Sequence, residues 1–338
     1  MRVVGLDLGG TKIAAGVFDG ERLLSKVILP TPKEGGMAVV RALAEAARQA
    51  EAEAGEKGVA IGLGTPGPLD FRQGTIRFTP NIPGLVDFPI RKLLEEATGK
   101  PVHLENDANA AALAEHHLGA AKGERSSLFL TVSTGIGGGV VLEGRVLRGE
   151  RGQGGELGHI TLLPGGPVCG CGLEGCLEAL AAGRALEREA AYAYHRPLSN
   201  QELFALFEEG DPKAQRILLQ AARYVGLGLA SLVKAFDPGA VVVGGGTCPE
   251  RPGRLLGRPA VRLPPLPGGL GGTPLAQGQA WGRGGASGGR PHRLPGGAGW
   301  KRVRRSFTWG FSSWPWGFFS STSPSSSPGS ATCRGTSA

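Results

Sequence analysis

Three cysteines, one histidine and three carboxylates fall within Gly154–Glu178 of a 338-residue chain that has five cysteines in all. Cys169, Cys171 and Cys176 stand as C-x-C-x4-C, with Gly170, Gly172 and Gly175 between them. Glycine reaches positive φ without steric penalty, so tight turns here are expected to bring three sulfurs to one point. With His159 as fourth ligand the set is Cys3His, a tetrahedral donor set that suits zinc and, in a closed site, is structural. A reduced cluster without metal is the alternative, although thiols this close tend to oxidise or bind something. Three cysteines cannot all pair as disulfides, and no secretory leader is expected before them.

Two further stretches place charged groups beside turns. Asp7-Leu8-Gly9-Gly10-Thr11-Lys12 follows a short apolar run. It resembles the D-x-G-x-T phosphate loop of the actin-like kinases. Glycine there lets backbone N–H groups approach phosphate oxygens; Thr11 and Lys12 add donors, and Asp7 can orient hydrated Mg²⁺. Taken alone, the motif also fits a plain hairpin turn. Asn106-Asp107-Ala108-Asn109 stands between a strand and a helix. Asp107 can serve as the N-cap of that helix or, kept ionised by the helix dipole, as a general base.

Glu156-Leu157-Gly158-His159, followed by C-x-C-G-x-x-G-C-x-E, resembles the signature of the ROK sugar kinases, especially the bacterial glucokinases. The segment E-N-D-A-N at 105–109 is similar to the same family and favours the catalytic reading of Asp107. The resemblance implies an actin-like (ribonuclease H-like) duplicated α/β fold with a cleft between two domains. It implies transfer of the ATP γ-phosphate to the 6-hydroxyl of glucose or a close relative, with Asp107 taking the hydroxyl proton. Around the sugar it puts Gly67, Asn81, Asn106, Asp107, Glu156, His159 and Glu178. Around ATP it puts Asp7, Gly9, Gly10, Thr11, Lys12, Thr134, Gly135, Gly244 and Gly245. Structural Zn²⁺ falls on His159, Cys169, Cys171 and Cys176, Mg²⁺ accompanies ATP, and a homodimer is usual. Another hexose (mannose, an N-acetylhexosamine or fructose) and a non-catalytic sugar-binding protein are the alternatives. The family's repressors carry an N-terminal winged helix-turn-helix. Here Met1 falls directly before the first strand, so no nucleic-acid role is expected.

The elements that must position these residues repeat. Val3–Leu8, Ile13–Phe18 and Leu23–Leu29 read as an antiparallel meander with tight glycine turns. Ser127–Ser133, a turn over Thr134–Gly139, Val140–Leu142 and Arg145–Leu147 give the same order again. Helices are expected over Gly36–Ala54, Phe88–Thr98, Asp107–Leu118 and Leu177–His195, and from an Asp211-Pro212 start to Phe236. Strands are expected at Val59–Leu63, Val102–Glu105 and Ala240–Val243. The reading is a smaller domain over 1–106 and a larger one over 107–246. No G-x-x-x-x-G-K-[ST] occurs, which argues against a P-loop kinase.

The net charge of +8 misleads, because residues 247–338 carry 12 Lys/Arg against the single acid Glu250. The preceding part is slightly acidic, and all five tryptophans (281, 300, 309, 314 and 316) lie in that last segment. Thr247–Ala338 lacks apolar periodicity and is rich in Gly, Pro, Arg and Ser, so no compact domain is expected there. An out-of-frame reading fits it. Ala276–Gly285 (AQGQAWGRGG) can be encoded by GC-rich codons that, read one base later, give Pro-Arg-Ala-Arg-Leu-Gly-Ala-Glu-Ala-Gly. That alternative resembles the family's C-terminal region, and an aberrant C-terminus would impair the enzyme. No membrane-spanning run is expected, and the location expected is cytoplasmic.

Overall fold

β1 (Arg2–Leu8) pairs antiparallel with β2 (Lys12–Asp19), and β2 pairs with β3 (Arg22–Leu23) and β4 (Val27–Pro30). The single strand expected over Leu23–Leu29 is two short ones, because the chain between them turns Ser25 into the core. Its hydroxyl donates to Ala50 O at 2.7 Å and accepts from Val17 N. The computed structural model describes residues 1–79 and 81–245, and the backbone of Ala260–Arg262.

α1 spans Gly36–Ala54 as its periodicity predicts, burying Val39, Val40, Leu43 and Ala47, and it ends at Gly55 in the left-handed region. β5 (Ile61–Thr65) follows, then a small hairpin of β6 (Leu69–Asp70) and β7 (Thr75–Ile76), and α2 (Ile90–Thr98). α2 starts later than expected because Phe88 is bridged to Ile76 in extended conformation. β8 (Val102–Asn106) runs parallel to β5, which runs parallel to β1, giving the order β3-β2-β1-β5-β8.

The second half opens with α3 (Asp107–His117), then β9 (Ser127–Val132), β10 (Ile136–Leu142) and β11 (Arg145–Val146). Four helices follow: α4 (Leu177–Ala181), α5 (Gly183–Tyr194), α6 (Asn200–Glu208) and α7 (Pro212–Phe236). β12 (Ala240–Gly244) lies parallel to β9, and β13 (Ala260–Arg262) pairs antiparallel with β12, giving the order β11-β10-β9-β12-β13. Strands β9 to β12 thus repeat β1, β2, β3 and β5. This is the duplicated actin-like arrangement expected from the sequence. α3 packs on the second sheet, its Ala112 buried with Phe129, Val141 and Val242.

Three local expectations change. Gly137, Gly138 and Gly139 are not part of the turn; they lie in β10, paired with Thr131, Leu130 and Phe129. Their missing side chains admit neighbours: a Cβ at Gly139 would sit 2.5 Å from Ala112 Cβ, and one at Gly138 would sit 2.7 Å from Leu157. The helix expected over Leu177–His195 breaks at Ala182 into α4 and α5. α6 was not anticipated, although Ser199 and Glu202 form a capping box that marks its start.

α7 begins as expected, with Asp211 capping Lys213 N and Ala214 N ahead of Pro212. Contrary to the expectation of no such run, it is long and apolar enough to cross a membrane by length and composition. Its Ala214, Ile217, Ala221, Val225 and Leu232 nevertheless belong to the second core, while Lys213, Arg216, Arg223 and Lys234 are exposed. That is the pattern of an amphipathic core helix. The expectations for 247–338 lie outside the described residues, the backbone of β13 apart.

Candidate active site

The parallel strands β1, β5 and β8 end side by side, and the first group of predicted residues gathers there. Gly9 N donates to Lys12 O at 2.9 Å, closing the turn. Thr31 pins it, its hydroxyl donating to Gly9 O at 2.7 Å and its N–H to Thr11 O at 3.0 Å. A Cβ on Gly10 would meet Asn81 Cβ at 3.1 Å, and one on Gly67 would meet Asn106 Nδ2 at 3.4 Å. Gly64, next to last in β5, lies against Asp107 Cα, which is 3.9 Å from its Cβ position.

The helix cap resolves the double reading of Asp107. Asn106 is the N-cap: its side chain accepts from Ala108 N at 3.0 Å and Asn109 N at 3.1 Å. Asp107 is the first helical residue, and one of its oxygens accepts from Ala108 N at 2.8 Å. Its side chain is exposed at the mouth of the cleft, while the protein surrounding it at longer range desolvates the carboxylate and raises its pKa, against the pull of the Ala108 N–H. Desolvation and the helix-end N–H thus act on Asp107 in opposite directions, desolvation being the larger. Asp7 is pushed up to about 6 by burial and by the charge of Asp107, with Lys12 pulling it down. Burial lowers the pKa of Lys12 in turn.

The second group assembles at the ends of β9 and β12. Ser133 N donates to Gly135 O at 2.8 Å across the turn. Beneath it, α5 begins: Gly183 N donates to Ser133 O at 2.8 Å and Arg184 N to Thr134 O at 3.3 Å. Glu178 Oε2 accepts from Ile136 N at 2.8 Å, so one oxygen of this predicted sugar ligand is already engaged. Gly244 pairs with Thr131, and Gly245, at φ 124°, lies so close to β9 that a Cβ would collide with Val132 O.

Glu156 connects the two groups. Burial raises its pKa, His159 lowers it, and the charges of Asp107 and Glu178 raise it further. A Cβ on the preceding Gly155 would stand 3.2 Å from Asn109 Oδ1. Asn109 is 3% exposed, and Oδ1 has no hydrogen-bond partner among the described residues. Asn109 was not singled out as a site residue, although it stands inside the E-N-D-A-N segment.

The cysteine cluster forms as expected. Cys169 Sγ lies 3.4 Å from His159 Nδ1, and Cys171 Sγ lies 3.6 Å from Cys176 Sγ. All four donor atoms fall within 4.8 Å of one another. A tetrahedron with metal–sulfur bonds of about 2.3 Å has edges of about 3.7 Å, so these residues can hold a metal ion of zinc's size. Burial and the neighbouring thiols push Cys176 up to about 12, a protonated state that a bound dication would reverse. Gly172 and Gly175 turn the chain at φ 89° and 64°, whereas Gly170 takes an ordinary φ in open space. Two of the three glycines, not all three, are demanded by the backbone.

A cavity of about 420 Å³ lies elsewhere, lined by Phe71, Arg91, Val102, His103, Leu104 and Arg148. It flanks the outer edge of β8. The Asp107 cleft, by contrast, is open to solvent.

Comparison with known proteins bears on this geometry. The ROK family model matches residues 3–252. The solved structure of a ROK hexokinase from Thermus thermophilus is 80% identical, with a TM-score of 0.70, over 73% of this chain and 82% of that one. A ROK family glucokinase from Streptomyces griseus, solved with glucose and AMPPNP, is 38% identical with a TM-score of 0.63, over 73% and 83%. The glucokinase of Streptomyces coelicolor is 40% identical over 73% of this chain and 82% of its own. The N-acetylmannosamine kinase of Pasteurella multocida is 34% identical over 72% and 81%.

Proposed function

Because the chain belongs to the ROK family, we propose that it is a sugar kinase that transfers the γ-phosphoryl group of ATP to the 6-hydroxyl of a hexose, glucose foremost. The observation that carries this reading is Asp107. It stands in the cleft with its capping duty taken by Asn106, between the Asp7–Lys12 turn and Glu156. Its raised pKa suits a general base, which must hold a proton once it has taken one from the sugar hydroxyl. Little covalent chemistry is asked of the protein in phosphoryl transfer, so position and charge do most of the work.

In this reading Gly67, Asn81, Asn106, Glu156, His159 and Glu178 surround the sugar. Gly9, Gly10, Thr11, Lys12, Thr134 and Gly135 receive the phosphates, and Gly244 and Gly245 lie toward the adenosine. Asp7 and Asp107 form an acidic pair that Mg²⁺ suits, with Asp7 the nearer to the phosphate turn; the ion would neutralise charge on the phosphates. Zinc on His159 Nδ1, Cys169, Cys171 and Cys176 would fix the loop between Glu156 and Glu178 and leave His159 Nε2 for the sugar. Coupled-assay turnover with ATP and a panel of glucose, mannose, fructose, N-acetylglucosamine and N-acetylmannosamine tests the proposal. Glucose should have the highest kcat/KM. Absence of ATP-dependent turnover with every sugar would refute it, and preference for N-acetylmannosamine would move it to the Pasteurella relative's substrate.

The same reading takes the protein as a cytoplasmic homodimer, a state that sedimentation measures, with domains over 1–106 and 107–246. We further infer that 247–338 come from a shifted reading frame. The family match ends at residue 252, and the likeness to the Thermus relative covers 73% of this chain. The nucleotide sequence across Gly246 tests this, as does expression of the chain re-read one base out, expected to be the more active form.

A further inference from the structure

Residues 147–155 leave β11, touch the opposite half of the molecule and return to Glu156. Gly149 and Gly152, at φ 71° and 75°, make the bends, and Gly154 N donates to Arg148 O at 2.7 Å to close the loop. At Gly152 a Cβ would stand 2.7 Å from Leu69 O, so the loop sits directly on the β6 hairpin. Arg148 lies over the Phe71 ring, 5.3 Å from its centroid. Its Nε and Nη2 both reach one oxygen of Glu105, Oε2, at 2.8 and 2.6 Å. The other oxygen, Oε1, accepts from Asn106 N and from Asn109 Nδ2, each at 3.1 Å.

Glu105 is therefore divided between the second half and the chain on either side of Asp107. Its side chain is 13% exposed and that of Arg148 48%, whereas the neighbouring Arg72–Glu150 pair is 83% exposed at both ends. The outer pair is screened by water and contributes little; the inner pair is shielded at the carboxylate. Without the guanidinium, a half-dehydrated carboxylate would keep only two neutral donors. It would turn toward water and release Asn106 N and the Asn109 amide.

We propose that Arg148 is a positioning residue for phosphoryl transfer: through Glu105 it holds the start of α3, and with it Asp107, in register with the loop that delivers Glu156. The inference rests on Asp107 being the base. It assigns to the loop between β11 and Glu156 a coupling of the two halves that neither the cysteine cluster nor the glycine turns supply. A displaced base loses rate more than it loses ground-state binding, since in-line attack tolerates little misplacement.

The test compares wild type with Arg148→Ala, Arg148→Lys and Glu105→Gln, with Arg72→Ala as control. Two readouts are used: steady-state kinetics with ATP and glucose, and amide hydrogen exchange across residues 105–109. For Arg148→Ala we expect kcat to fall about 10²-fold with the KM for ATP unchanged, and exchange at Ala108 and Asn109 to accelerate. Arg148→Lys should recover part of both, and Arg72→Ala should change neither. Glu105→Gln keeps the shape of the side chain and serves if Arg148→Ala does not fold. Unchanged exchange in Arg148→Ala, or faster exchange with full kcat, overturns the proposal. Should the wild type phosphorylate no hexose, the kinase reading fails by itself, and the exchange result alone decides whether Arg148 orders the start of α3.

Discussion

The turn between β1 and β2 and the turn between β9 and β10 occupy equivalent places in the repeated meander, yet the residues around them differ in kind. Asp7 and Lys12 flank the first turn, Asp107 faces it, and a threonine from β4's end pins it. No charged side chain stands in the second, Ser133-Thr134-Gly135; Glu178 and the start of α5 brace it from outside. The strands pack differently too: glycines in β10 admit α3 and Leu157, whereas Gly16 in the equivalent β2 admits Leu23 and Ser25, and Gly62 in β5 has nothing near its Cβ position. Duplication preserved the backbone plan while charged side chains collected around the first turn and not within the second. In the proposed kinase, the base Asp107 comes from the second half and faces the charged turn of the first.

Replacement of the base should break this asymmetry most. Asp107→Asn is expected to lower kcat by about 10²–10⁴-fold while glucose still binds in a calorimeter. A kcat near wild type would return Asp107 to a purely structural place in α3. The second half is tested next, by stripping its metal. Elemental analysis should find one zinc per gently purified chain, and chelation should weaken glucose binding by about 10–100-fold. Zinc-free protein that binds glucose normally would leave the cysteine cluster without a part in the sugar site.

Packing differences come third. Gly139→Ala, which forces a methyl group against Ala112, should cost about 1–3 kcal/mol in denaturant unfolding, and Gly62→Ala should cost nothing. Equal effects would remove the packing contrast between Gly139 and Gly62. The smallest effect concerns charge in the first half. Asp7 titrates near 6 when folded against a reference of 3.8, so its contribution to stability is full below the lower value and is lost as pH rises through 6. Asp7→Asn should therefore stabilise the protein by about 1 kcal/mol at pH 7.5, after screening by cleft water, and leave it unchanged at pH 3.5. Loss of wild-type activity below pH 6 should follow the same titration.

Signals confined to a few neighbouring residues were legible in the sequence. Asp211-Pro212 marked the start of α7, the spacing of Val40, Leu43 and Ala47 marked α1, and the cysteine spacing marked the cluster that forms. What escaped depends on partners far along the chain. Gly137 to Gly139 look like a turn until α3 is seen lying on them. Asp107 reads as a cap candidate until Asn106, the last residue of β8, is seen to take that place. The break at Ala182 has no signal of its own, since it exists to bring α5 beneath Ser133 and Thr134. Arg148 lies in no motif, and its significance appears only through Glu105, 43 residues away.

That break at Ala182 has an electrical consequence. The carbonyls of Ser133 and Thr134 accept from the first N–H groups of α5, so the positive end of a twelve-residue helix is applied to two peptide groups of the turn. The opposite ends of those same peptide groups are the N–H of Thr134 and the N–H of Gly135. Hydrogen-bonded peptides polarise one another in series, by about 10–30% per bond. The helix thus relays its field through the turn to the Thr134 and Gly135 N–H groups, much as the Thr31 hydroxyl on Gly9 O does for the Gly10 N–H.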